Sequence, residues 1–167
     1  DKMVAAGISS LKIEGRAKSH YYVAVTANAY RGAVDSLACE GEWKLPSWVM
    51  EELNKISHRT YSQGFYFGRP ENAQTYGSAG YIRDYTVAGV MSDYEDGMVS
   101  LTLKNKFFRG QTFDCLSPRE EPFILKADEM FDEKGTTIEV APHPMMTVKI
   151  PCDRPVKKGT LFRMAAE

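Results

Sequence analysis

Val99-Ser100-Leu101-Thr102-Leu103-Lys104 alternates apolar and polar side chains without a break. A strand turns successive side chains to opposite faces, so this stretch reads as a half-buried β-strand. Glu95-Asp96-Gly97 stands just before it as a turn, and Tyr85 to Tyr94 reads as the preceding strand. The series continues through Gln111–Leu116, Phe123–Ala127, Thr136–Val140, Met146–Ile150 and Thr160–Met164. Turn-forming residues interrupt it at Arg109-Gly110, Ser117-Pro118, Asp132 to Gly135, Pro142, Pro144 and Lys158-Gly159. Short strands in succession with no helical period between them predict a small antiparallel barrel or sandwich over residues 81–167. Closure would hide the strand edges that an open sheet exposes.

Upstream the period changes. Tyr22, Val25, Ala29, Ala33 and Leu37 recur at helical spacing, with Val23, Tyr30 and Val34 widening the stripe. A helix is expected over 19–39, capped by Ser19 and followed by Gly41. A shorter helix fits 46–57, with Pro46 in its first turn and Val49, Leu53 and Ile56 on one side. Residues 58–80 are rich in aromatics, Gly and Pro, and read as an ordered connector whose Phe65, Tyr66 and Phe67 fasten it to a domain surface. Near the start, Ser10-Leu11-Lys12-Ile13-Glu14-Gly15-Arg16 has the pattern of a buried strand entering a polar turn. Too little chain precedes it to supply neighbouring strands. The chain is therefore expected to be the tail of a larger protein. Its parts would be residues 1–40 (a last strand and helix), 41–80 (a helix and connector) and 81–167 (a complete β domain).

The bulk numbers limit the function classes. The chain has 167 residues, 43% of them hydrophobic and 26% charged, with a net charge of -1. That composition excludes disorder and a field strong enough to gather polyanions from a distance. No apolar run is long enough to cross a membrane, no secretory leader begins the chain, and a cytoplasmic location is expected. The three cysteines, Cys39, Cys115 and Cys152, are far apart with no CxxC. They read as reduced thiols, and no metal or cofactor is expected in this chain.

The chemistry-bearing candidates are few. His20, His58 and His143 are scattered, no GxSxG appears, and no Gly-rich phosphate loop is present. No catalytic residue is assigned. Glu14 and Arg16 follow the expected strand, and that end of a strand faces the active site in α/β barrels. They are candidates for holding substrate or an anionic group, or else form a local ion pair that fixes the turn. Lys104-Asn105-Lys106-Phe107-Phe108-Arg109 interleaves cations with aromatics, a composition that can hold a phosphate backbone and stack a base. The competing reading is a solvated turn with Phe107 or Phe108 plugged into the barrel. Lys157-Lys158 would add to the patch if the two turns meet.

Four segments, in order, resemble peptidase family U32, the collagenase-like peptidases. They are Gly7 to Ser19 with Tyr21-Tyr22-Val23-Ala24 and Ala29-Tyr30-Arg31; Ser57-His58-Arg59 leading to Gly64-Phe65-Tyr66-Phe67-Gly68; Asn105 to Gln111; and Ala141-Pro142-His143-Pro144. Ala17 and Gln111 depart from that pattern, which often has charged residues there. The resemblance implies an α+β chain: an N-terminal helical segment left from an upstream α/β barrel, then a small antiparallel β-barrel. It implies an accessory, non-catalytic role in positioning a polymeric substrate, either protein for a peptidase or RNA for a base-hydroxylation protein. A structural brace or dimerisation module is the third possibility. Hydroxylating relatives carry an iron–sulfur cluster upstream, through cysteines this chain lacks. Glu14, Arg16, Lys104, Asn105, Lys106, Phe107 and Arg109 are the substrate-binding candidates. The partners expected are protein or RNA, and a second copy of the chain, but no membrane.

Overall fold

The computed structural model describes residues 1–38, 43–59, 61–66, 68–69 and 84–166. Among these residues three helices precede eight strands: α1 (Lys2–Ala5), α2 (His20–Ser36), α3 (Ser47–Asn54), β1 (Tyr85–Glu95), β2 (Met98–Leu103), β3 (Phe107–Phe108), β4 (Thr112–Leu116), β5 (Phe123–Lys126), β6 (Val140–Ala141), β7 (Thr147–Pro151) and β8 (Leu161–Ala165). The α+β class expected from sequence is the class observed.

β1 and β2 form the hairpin that anchors the sheet. Asp96 and Gly97 both have positive φ, 49° and 74°, and Glu95 pairs with Met98. Such a two-residue turn twists in the same sense as its strands. Around this hairpin a six-stranded antiparallel sheet runs in the order β5-β4-β8-β1-β2-β7, and β3 pairs with β6 in a separate ribbon. The sheet is a curled half-barrel rather than a fully hydrogen-bonded ring. The chain leaving edge strand β5 reaches the other edge, where Phe131 bridges Lys149 of β7. The interior is filled by residues of one parity, among them Val99, Leu101, Leu103, Phe113, Val148, Ile150 and Phe162. Phe113 stands edge-on to Phe107 at 4.9 Å and to Phe162 at 5.6 Å.

Ser19 Oγ accepts from the Tyr22 N–H at 3.2 Å and caps α2 as expected. The helix ends at Ser36, and Gly41 and Cys39 lie outside the described residues. α2 does not stand alone. Val25 packs with Ile56 after α3 and with Leu116 of β4, flanked by Tyr21, Tyr22 and Leu161. Asn28 ties the helix to the turn after β4: its Nδ2 donates to Glu120 O at 3.1 Å, and its Oδ1 accepts from Arg119 N–H at 2.7 Å. The helices thus cover the outer face of β4 and β8, while the half-barrel core covers their inner face.

Residues 10–15 pair with no strand among the described residues; the strand expected there was to take its neighbours from outside this chain. Ile8, Leu11 and Ile13 instead lie beside Ala27, Tyr30 and Val34 of α2 and stay partly exposed. Of the aromatics expected to fasten the connector, Phe65 and Tyr66 are 79% and 75% exposed on a turn among the described residues, and Phe67 lies outside them. The strand expected at Thr136–Val140 is corrected to Val140–Ala141 with an isolated bridge from Thr137 to Phe131, since the Thr136 N–H is drawn to the Asp132 side chain instead of a strand partner.

Candidate nucleic-acid interface

The segment 104–109 is built on a bulge in β1. The β1–β8 register shifts between Val87 and Gly89, and the Ala88 carbonyl left between them accepts from the N–H groups of Lys104 and Asn105 at 2.8 and 3.1 Å. Asn105 Nδ2 donates to Val87 O at 2.8 Å and to Thr86 Oγ1 at 3.3 Å. Asn105 therefore fixes the turn. Strand alternation then divides the two aromatics of β3. Phe107, 1% exposed, enters the core, and Phe108, 47% exposed, faces out. Phe107 is thus the anchor, and no ligand reaches its ring face.

The cations also divide. Lys106 Nζ sits 4.7 Å from the centroid of the Phe108 ring. Lys104 Nζ lies 3.8 Å from Met145 Sδ, a weak contact that leaves its charge available. Arg109 is engaged: its Nη1 donates to Glu139 at 2.8 Å and its Nε to Asp128 O at 2.6 Å. The hydrogen bond to Glu139, aided by that carboxylate's charge, raises its pKa. A cleft of about 790 Å³ runs beside Lys106 and Phe108, walled by Thr86, Gln111 and the end of β8 at Ala165 and Ala166. Lys157 does not join it, being held by Glu120 at 2.7 Å and Pro118 O at 3.3 Å. Glu14 and Arg16 lie elsewhere. The Glu14 carboxylate accepts from the Arg16 backbone N–H at 2.8 Å, so it shapes the turn into α2 through the main chain.

The largest electrostatic feature escaped the sequence reading. Arg163 of β8 is fully buried and donates in a fork to Glu52 of α3, Nη1 to Oε2 at 2.6 Å and Nη2 to Oε1 at 3.0 Å. Nη2 also bonds Asp114 of β4, its cross-strand partner. Lys55 completes a four-charge group by bonding Asp114 and reaching Glu52 at 2.7 Å. Tyr21 of α2 lies against Arg163, ring to guanidinium 5.9 Å, and its hydroxyl donates to Lys55 O at 3.1 Å. Burial opposes the charges of Arg163 and Lys55, yet the carboxylates outweigh it and raise both pKa values. The group is neutral overall, and among the described residues no buried side-chain polar atom lacks a partner. Its sequence signal was a charge inside each of two expected strands, Asp114 and Arg163.

Cys115 and Cys152 are buried thiols, and burial pushes the Cys115 pKa well up. No group of three or more His, Cys, Asp or Glu among the described residues has the arrangement of a metal site, so these residues do not fit an iron–sulfur cluster. No helix among them is long and apolar enough to cross a membrane.

Comparison with known proteins places this geometry in context. The family model for peptidase family U32 matches residues 1–76, and that for the peptidase family U32 C-terminal domain matches residues 83–163. The chain is 31% identical over 166 residues to tRNA hydroxylation protein P1 of Bacillus subtilis (strain 168), covering 97% of this chain and 39% of that protein. It is 31% identical over 145 residues to tRNA hydroxylation protein P of Haemophilus influenzae, covering 84% of this chain and 31% of that protein. It therefore spans well under half the length of both. A crystal structure of the C-terminal domain of a Geobacillus thermoleovorans protein described as a U32 peptidase is 26% identical, with a TM-score of 0.45, covering 47% of this chain and 98% of that one.

Proposed function

The chain belongs to peptidase family U32, and from that premise we propose that it holds RNA for a U32-type base-hydroxylation protein whose chemistry is done by residues elsewhere. The observation that carries this reading is the pairing of Lys106 with the outward ring of Phe108 beside an open cleft. A cation and an aromatic face together suit a phosphate and a base. The names of the Bacillus and Haemophilus relatives, tRNA hydroxylation proteins, support RNA over a peptide. Nothing in the cleft pairs a nucleophile with a base, which suits a holding role rather than a cutting one.

The test is binding of labelled bulk tRNA to this chain across a salt series. Binding that weakens with salt, and weakens further in Lys106→Ala, is the expected result. No binding at low salt would overturn the reading and leave the role of a brace, which the buried charge group between helices and sheet favours.

A further inference from the structure

We infer that the cleft beside β3 takes a single unpaired nucleotide, its base against Phe108 and its phosphate toward Lys106 and Lys104, so that the bound RNA is single-stranded and not duplex. This rests on the RNA reading above and names the kind of RNA.

The geometry of β3 is the first argument. Phe108 sits on a strand whose neighbour Phe107 is locked in the core against Phe113. Its backbone is paired with Val140. The exposed ring is therefore presented rigidly, and little conformational entropy is lost when a base stacks on it. The exposed Phe65 and Tyr66 have no such anchor among the described residues. Lys106 covers one side of the Phe108 ring, so a single base has room there and a run of stacked bases does not.

Charge is the second argument. Beyond Phe108 the strand end is acidic, with Glu139, Asp128 and Glu129 around Arg109. A phosphate is repelled there and drawn to the Lys104–Lys106 side. Lys106 lines the cleft and Lys104 lies two residues away outside its wall, and neither has a carboxylate partner among the described residues. Duplex RNA hides its bases and is held by many phosphate contacts, which two lysines do not supply. A single strand gains the stacking term as well. The cleft's 790 Å³ falls within the size of small-molecule sites, about 300–1,000 Å³. Gln111 on its wall donates Nε2 to Thr112 O at 3.2 Å, leaving its amide oxygen to accept from a base edge.

The experiment is fluorescence anisotropy with this chain and labelled RNA oligonucleotides of one length, either single-stranded or annealed to a complement. The single strand is expected to bind at least about tenfold more tightly than the duplex, with a salt slope near −1.4, about −0.7 for each of two phosphates. Phe108→Ala is expected to weaken single-strand binding about tenfold with the slope unchanged, and Phe108→Trp to retain it. Lys106→Ala is expected to flatten the slope by about 0.7. Thermal melting confirms that each variant is folded. Equal affinity for both RNAs, or a Phe108→Ala variant that binds as before, overturns the inference while the RNA reading stands. Absence of binding to any RNA at low salt overturns both.

Discussion

Arg163 shows how much of this molecule turns on single side chains. A buried guanidinium is costly to desolvate, and here it faces two carboxylates, with Lys55 balancing the second negative charge. Removing one member leaves an uncompensated buried charge, which costs about 3–5 kcal/mol. Arg163→Ala should lower stability by that amount, read from the urea midpoint. Arg163→Lys should recover only part of it, because an ammonium cannot reproduce the fork that reaches both oxygens of Glu52. An Arg163→Ala protein as stable as the parent would show that the group contributes nothing. In the segment 104–109, composition grouped six residues but not their division: the substrate-binding candidates included the buried Phe107 and left out the exposed Phe108. Phe107, Asn105 and Arg109 serve the scaffold, while Lys104, Lys106 and Phe108 face solvent. Composition places these residues together, and only strand parity and the nearby Glu139 assign their roles.

Among the elements, α2 and α3 carry the expected helices at slightly shorter length, His20–Ser36 and Ser47–Asn54. Their contact is close at Gly32, where an added methyl group would run into the Trp48 ring. Ala favours a helix over Gly by about 1 kcal/mol, so propensity alone predicts a gain for Gly32→Ala. The packing predicts the reverse. Overpacking costs about 1–3 kcal/mol, and the melting temperature of Gly32→Ala is expected to fall. A rise would mean that Trp48 swings away without loss. β1, β2, β4, β5, β7 and β8 were legible as short apolar-rich runs bounded by turn residues, and β6 was expected a few residues too early. β3 was not legible, because two residues are too few to show a period.

For the whole molecule, the buried charges and thiol set a limit at alkaline pH. Burial raises the pKa of Cys115 and Tyr21, and the carboxylates raise that of Lys55 against its burial. Each folded pKa lies above its unfolded value, so above about pH 9 the unfolded chain holds fewer protons than the folded one. The stability from these groups is complete below the unfolded pKa values and is lost as pH rises. Urea midpoints should fall from about pH 9 upward, and Cys115→Ala should delay the onset of the fall; an identical pH profile in that variant would rule the thiol out as a cause. The amino-acid sequence by itself determined the β hairpin series, the two main helices, the Ser19 cap, the turns and the family. Those features are written in local periods and in residues with special backbone freedom. Only the tertiary structure decided that β4 and β8 are buried on both faces. Their outer face meets α2 and α3 rather than water, so polar parity became a buried ion group instead of a solvated surface. It likewise decided which aromatic of Phe107-Phe108 is buried, because a two-residue strand shows no period and only its pairing with Val140–Ala141 fixes the faces.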